Sequence, residues 1–188
     1  MAVGGDERRY LYAMPIPPPP DPPPLRLKLP LPPYRYLPGE GPHPLRHPDG
    51  HSRDPEHLEP EAAWLRGLDL YDHRYYWESH EVWEAVWKAT PQGSLRQLLQ
   101  GLIQLAAATI KHHLGHERPA SRLLSRAAGR IDSVIAAQGA SWCDLDLPAT
   151  LASVQRFVAG EGDWPVIVPA QATRRAAARG SSGDRSAR

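Results

Sequence analysis

Cysteine is nearly absent from this chain of 188 residues. Cys143 is the only one, which excludes a disulfide framework and a cysteine-based zinc site. No apolar run approaches 18 residues, so we expect no membrane-spanning helix. The N-terminal residues lack the apolar core of a secretory signal, which predicts a cytoplasmic protein. Acidic and basic residues nearly balance, at 21 and 22, and we therefore expect no nucleic-acid partner.

Proline is the residue that the chain has in excess. There are 22 prolines, and 17 of them precede residue 61. Proline lacks a backbone donor and favours the polyproline II conformation, so residues 1–60 cannot form a helical or sheet domain. We expect residues 1–30 to be a mobile proline-rich segment. Residues 31–58 carry apolar anchors such as Tyr34, Tyr36 and Leu37, and we expect them to form an irregular arm packed on the domain.

Residues 59–165 read as a domain of five helices. Apolar residues recur at helical spacing, the connections are short, and strand-like alternation is missing. These features predict an all-α fold, a compact antiparallel helical bundle. The first two predicted helices are Pro60–Tyr71 and 73–89, the second of them capped by Asp72. The next two are 91–114, capped by Thr90, and 119–137. The last is opened by Asp146 and Pro148 and ends before Gly160. The arginine-rich tail, residues 166–188, has little apolar content and is expected to be disordered.

The second predicted helix has the densest chemistry, in the sequence "DHRYYWESHEVWEAVWKA". Spacings of four and three place one set of residues on a single helix face: His73, Trp77, His80, Glu84 and Trp87. We expect this face to point into the core, with Glu78, Glu81, Ala85 and Lys88 on the other side. An ionisable group on a core face must be paired, hydrogen-bonded or bound to a metal.

His80 and Glu84 are four residues apart, a spacing at which both side chains can reach one divalent ion. The same spacing also allows a direct hydrogen bond between them, or a contact of Glu84 with Lys88. A metal site would need a further ligand from another helix or from the arm, because a catalytic zinc has about three protein ligands. Candidate residues lining the site are Trp83, Trp87, Gln104, His43 and His51. The string "HEVWE" is not the zinc-protease motif, because Glu84 occupies the place of its second histidine.

The strings "YWESHEVWEAVW" and "LLQGLIQLAAATIKHH" resemble the bacterial and archaeal family called domain of unknown function 309. The family pattern H-x-x-x-E-x-x-(W/Y) corresponds to His80, Glu84 and Trp87. The resemblance covers about residues 60–137 and implies an all-α fold, a bacterial source and a proposed metal-binding role for the pattern. It assigns no activity.

Two functions from different classes remain open at this point. In the first, the chain has a divalent-metal or small-ligand site on the face that carries His80 and Glu84; as an enzyme it would use a metal-activated water. In the second, the chain is a non-enzymatic interaction bundle. There a His80–Glu84 hydrogen bond is structural, and the arm or tail binds a protein partner.

Overall fold

The computed structural model describes residues 15–40 and 58–171, which form five helices and one short β-ribbon. The all-α fold class is confirmed. The elements are α1 Pro60–Asp72, α2 Tyr76–Ala89, α3 Ser94–His113, α4 Glu117–Gln138, β1 Ser141–Trp142, β2 Leu145–Asp146 and α5 Leu147–Val158.

Helix α3 lies at the centre of the bundle and packs against α2, α4 and α5. Its apolar stripe is fully buried at Leu98, Leu99, Leu102 and Leu105. Gly101 lets α4 approach, because a Cβ there would lie 3.0 Å from Ile131 Cγ1. Within the described ranges, no helix is both long enough and apolar enough to cross a bilayer.

Local capping chemistry sets several helix ends where the sequence predicts them. Pro60 is in the first turn of α1, and the Asp146 carboxylate accepts a hydrogen bond from Ala149 N at 2.9 Å at the start of α5. Gly115 follows α3 with φ +73°, and His116 N donates to Lys111 O across it. This is the pattern of a Schellman cap, in which glycine takes the left-handed conformation.

Two predicted helix starts are wrong. Asp72 does not cap the second helix but ends α1, and α2 begins only after Arg74, whose φ is +66°. The Asp72 carboxylate instead accepts hydrogen bonds from Arg26 and from Ile167 N. Thr90 does not cap α3 either, because its hydroxyl donates back to Val86 O. Helix α3 therefore starts at Ser94, three residues later than predicted.

The β-ribbon is an addition to the predicted fold. Ser141 pairs with Asp146 and Trp142 with Leu145 in antiparallel register. Cys143 and Asp144 make the turn with φ values of +50° and +59°, as a type I′ hairpin requires. Strands of two residues are too short to give an alternating pattern, so the sequence carries no detectable signal for them.

The proline-rich segment packs on the bundle from residue 16 onwards, whereas the sequence predicts a mobile segment up to residue 30. Ile16 is buried in the core. Asp69 accepts hydrogen bonds from the backbone N–H groups of Arg26 and Leu27, both at 2.9 Å. Arg66 donates to the carbonyl oxygens of Leu29 and Pro30. Both Asp69 and Arg66 are fully buried. The proline-rich segment therefore covers the part of the α1 surface that carries these two side chains.

Residues 31–40 continue along the bundle. Tyr36 and Leu37 are buried, and the Tyr36 ring contacts Trp77 edge-on at 4.9 Å. At the other end of the chain, Ile167 is buried and Val168 N donates to Thr150, so the packed chain extends beyond residue 165. The predictions for residues 1–14, 41–57 and 172–188 lie outside the described residues.

Candidate metal site and the adjoining cleft

Helix α2 turns a different face to the core from the one predicted. Its buried residues are Tyr76, Glu78, Ser79, Val82 and Trp83. The core stripe is therefore displaced by one residue, about 100° around the helix, from the stripe through His80 and Glu84. These two side chains lie at the border between core and solvent, 27% and 34% exposed. The expectation that they point into the interior is wrong.

Glu78 is the acid that α2 buries, although the sequence places it on the outer face. Its Oε1 accepts a hydrogen bond from Tyr36 N at 2.9 Å, and the residue is 5% exposed. Burial raises the pKa of the Glu78 carboxyl to about 7, although the hydrogen bond from Tyr36 favours the charged form. The partner that makes this burial tolerable lies 42 residues earlier in the chain.

His80, Glu81 and Glu84 form a compact group of ligand atoms at the surface of α2. One ligand atom from each side chain lies within 4.8 Å of the other two. The closest approach of His80 to Glu81 is 3.9 Å, between Nε2 and Oε1. One histidine and two carboxylates are a donor set that divalent transition metals accept. The third potential ligand thus comes from the same helix, whereas the sequence analysis sought it elsewhere.

Glu84 has an ion pair with Lys88, which lies one turn later at 3.2 Å between Nζ and Oε2. This is one of the two contacts that the spacing of the helix allows. The other, a hydrogen bond between His80 and Glu84, is not formed within the described ranges. In the structure, the exposed ammonium of Lys88 therefore balances the negative charge of Glu84.

The other residues predicted to line the site lie at different places. Trp83 is fully buried, and its Nε1 donates to Trp64 O at 3.4 Å. Trp87 is half-buried beneath the guanidinium of Arg96, 4.2 Å from the ring centroid. Gln104 is half-buried on α3, and its Oε1 is enclosed without a hydrogen bond to the described residues. His43 and His51 lie outside the described residues.

A cleft of about 180 Å³ opens beside His80. It is lined by Pro38 of the arm, Trp77 and His80 of α2, and Ala107, Ile110 and Lys111 of α3. The sequence analysis did not assign Lys111 or Pro38 to a site. Lys111 follows Gln104 and Ala107 on one helical stripe, a spacing that could have pointed to it. Pro38 could not have been found, because only the path of the arm brings it here.

Comparison with known proteins gives a family but no relative of known function. Residues 64–123 match the family described as Domain of unknown function (DUF309). The match covers α2 entirely and includes every residue of the group formed by His80, Glu81 and Glu84. No curated protein and no solved structure matches the chain.

Proposed function

We propose that the chain binds a divalent metal ion through His80, Glu81 and Glu84. Residues 64–123 place the chain in the DUF309 family, whose function is unknown. The proposal therefore rests on the chemistry of the chain's own side chains. The observation that carries this proposal is the clustering of their ligand atoms within 4.8 Å. All three side chains are partly exposed, so an ion can reach them from solvent. A bound ion would supply a Lewis acid for a water or a substrate oxygen. We assign no reaction to it.

The alternative function, an interaction bundle with a structural His80–Glu84 hydrogen bond, has less support from the contacts. Glu84 pairs with Lys88, and His80 approaches Glu81 more closely than any other carboxylate in the described ranges. Side chains that are about one-third exposed also contribute little as a lock, since exposed ion pairs are worth about 0–1 kcal/mol. A protein partner for the arm or the tail stays a prediction.

Removal of two ligands is the direct test of the metal site. We expect the untagged protein to take up close to one equivalent of zinc, manganese or iron(II), and the His80→Ala/Glu84→Ala variant to bind at least about 100-fold more weakly, because loss of even an outer-shell partner costs about 10- to 100-fold. Elemental analysis after dialysis, with titration calorimetry for the affinity, measures both.

The matched control is His116→Ala/Glu117→Ala, which removes the same two residue types from an exposed position at the start of α4. It should bind metal like the parent protein. Circular dichroism of both variants reports whether they fold. If the parent protein takes up no metal, or if the folded His80→Ala/Glu84→Ala variant binds as tightly as the control, the proposal is wrong.

Lys88 should compete with a metal for Glu84. Replacement by methionine keeps the apolar stem and removes the charge, so Lys88→Met should raise the metal affinity about two- to fivefold, the range that an exposed ion pair of up to about 1 kcal/mol allows. Calorimetry measures the change. Lys28→Met, in the proline-rich segment, should leave the affinity as it is. An unchanged or lower affinity of Lys88→Met would show that Glu84 does not ligate the ion.

A further inference from the structure

We infer that the cleft beside His80 binds a small organic anion: a flat apolar body held against Trp77, with its anionic group on the ammonium of Lys111. The inference extends the proposed function, because His80 belongs both to the metal group and to the wall of the cleft. The contribution of Lys111 does not require a metal, so the two proposals can fail separately.

The walls of the cleft define the shape and polarity of the ligand. Four of the six lining residues are apolar: Pro38, Trp77, Ala107 and Ile110. The Trp77 indole packs against the Tyr36 ring in an edge-to-face arrangement, with centroids 4.9 Å apart, which restricts its motion on that side. A fixed indole favours a flat partner, since aromatic rings attract one another in offset or edge-to-face arrangements. The volume of about 180 Å³ is below the range for drug-sized molecules, so the ligand is small.

The charge on the residues that line the cleft indicates the charge of the ligand. Among the described residues that line it, Lys111 is the only one with a permanent charge. Among residues 15–40 and 58–171, no carboxylate makes an ion pair with the Lys111 ammonium. A cation at the edge of an apolar cleft attracts an anion more strongly than it would in water, because the low-dielectric walls focus its field. An anionic group on an apolar body satisfies both parts of the cleft.

His80 connects the cleft to the metal group. Its imidazole lines the cleft, while one of its ring nitrogens belongs to the group with Glu81 and Glu84. An anion in the cleft therefore lies next to the position of the proposed ion. A metal bound at His80 would add a second positive charge beside the cleft, so ligand and metal should strengthen each other's binding.

The test uses benzoate as the probe and benzamide as its neutral counterpart of the same shape. Calorimetry on the full chain in EDTA should show benzoate binding at least about tenfold more tightly than benzamide. Lys111→Gln should remove the difference between the two probes, and Lys111→Arg should retain it. Lys28→Gln, which removes a lysine from the proline-rich segment, should bind like the parent protein. Ala107→Leu, which fills the cleft, should weaken both probes.

The outcomes separate the two proposals. Equal binding of benzoate and benzamide by the parent protein, or undiminished benzoate binding by folded Lys111→Gln, overturns the inference even if the protein takes up metal. Benzoate binding that persists in EDTA, and that depends on Lys111, supports it even if no metal is bound. With zinc added, benzoate should bind more tightly to the parent protein but not to His80→Ala.

Discussion

Gly67→Ala should strongly destabilise this protein, because residue 67 leaves almost no room for an added methyl group. A Cβ at residue 67 would lie 2.1 Å from Trp83 Nε1 and 2.5 Å from two further atoms of the indole. Trp83 is fully buried in the core, so its rigid ring cannot move aside without displacing its neighbours. We expect the free energy of unfolding to fall by about 3 kcal/mol, the upper part of the usual range for overpacking. Urea denaturation measures it.

Gly129→Ala is the matched control for this substitution. Gly129 is also inside a helix, but nothing lies within 4 Å of its added Cβ. There the change should stabilise the protein by about 0.5–1 kcal/mol, because alanine is the better helix former. Should Gly67→Ala instead behave like Gly129→Ala, the close packing of α1 on the Trp83 ring described above would be wrong.

Glu78 should make the protein less stable as the pH rises towards neutrality. Its pKa is raised from 4.5 to about 7 in the folded state, chiefly by burial. The folded state therefore holds the proton more tightly than the unfolded state. This stabilisation is complete below pH 4.5, falls as the pH rises, and is lost above about pH 7. Its full size is about 3 kcal/mol, from 1.36 kcal/mol for each unit of pKa.

The variant Glu78→Gln isolates this pH dependence, because glutamine keeps the acceptor for Tyr36 N but does not titrate. We expect the difference in unfolding free energy between the parent protein and Glu78→Gln to change by about 3 kcal/mol between pH 4.5 and pH 7.5. Denaturation in EDTA at several pH values measures it without any contribution from metal. Glu61→Gln, at an exposed position of α1, is the control. A difference that does not vary with pH would contradict the raised pKa.

Hydrophobic periodicity predicted the helices of this fold well because their stripes are long. Helix α3 has an unbroken apolar stripe over 20 residues, so its existence and buried face follow from the sequence. The errors at its start and at the start of α2 have local causes. The Thr90 hydroxyl donates a hydrogen bond to Val86 O, one turn earlier in α2. The Asp72 carboxylate accepts hydrogen bonds from Arg26 and from Ile167 N, which are distant in sequence.

The face of α2 could not be read correctly from its own residues. Aromatic and ionisable side chains occur on both sides of this helix, so a stripe through His80 and one through Ser79 are similarly plausible. Contacts with other parts of the chain determine which of the two stripes is buried. Gly67 of α1 leaves room for the Trp83 ring, and Tyr36 N of the arm donates a hydrogen bond to Glu78. His80 and Glu84, the two ligands predicted from the sequence, are two of the three clustered side chains. Glu81 was within reach of the same reasoning, because it is three residues before Glu84.

The packing of the proline-rich segment has a consequence for the order of events during synthesis. Arg26, Leu27 and Leu29 leave the ribosome before Arg66 and Asp69, from which they are separated by 37 to 43 residues. They therefore have no partners until α1 has been translated. Conversely, Arg66 and Asp69 need these partners at the moment they become buried, because an unpaired buried charge is strongly unfavourable. A segment that is made before α1 is thus among the last to pack, and α1 can complete its burial only when the proline-rich segment folds back onto it.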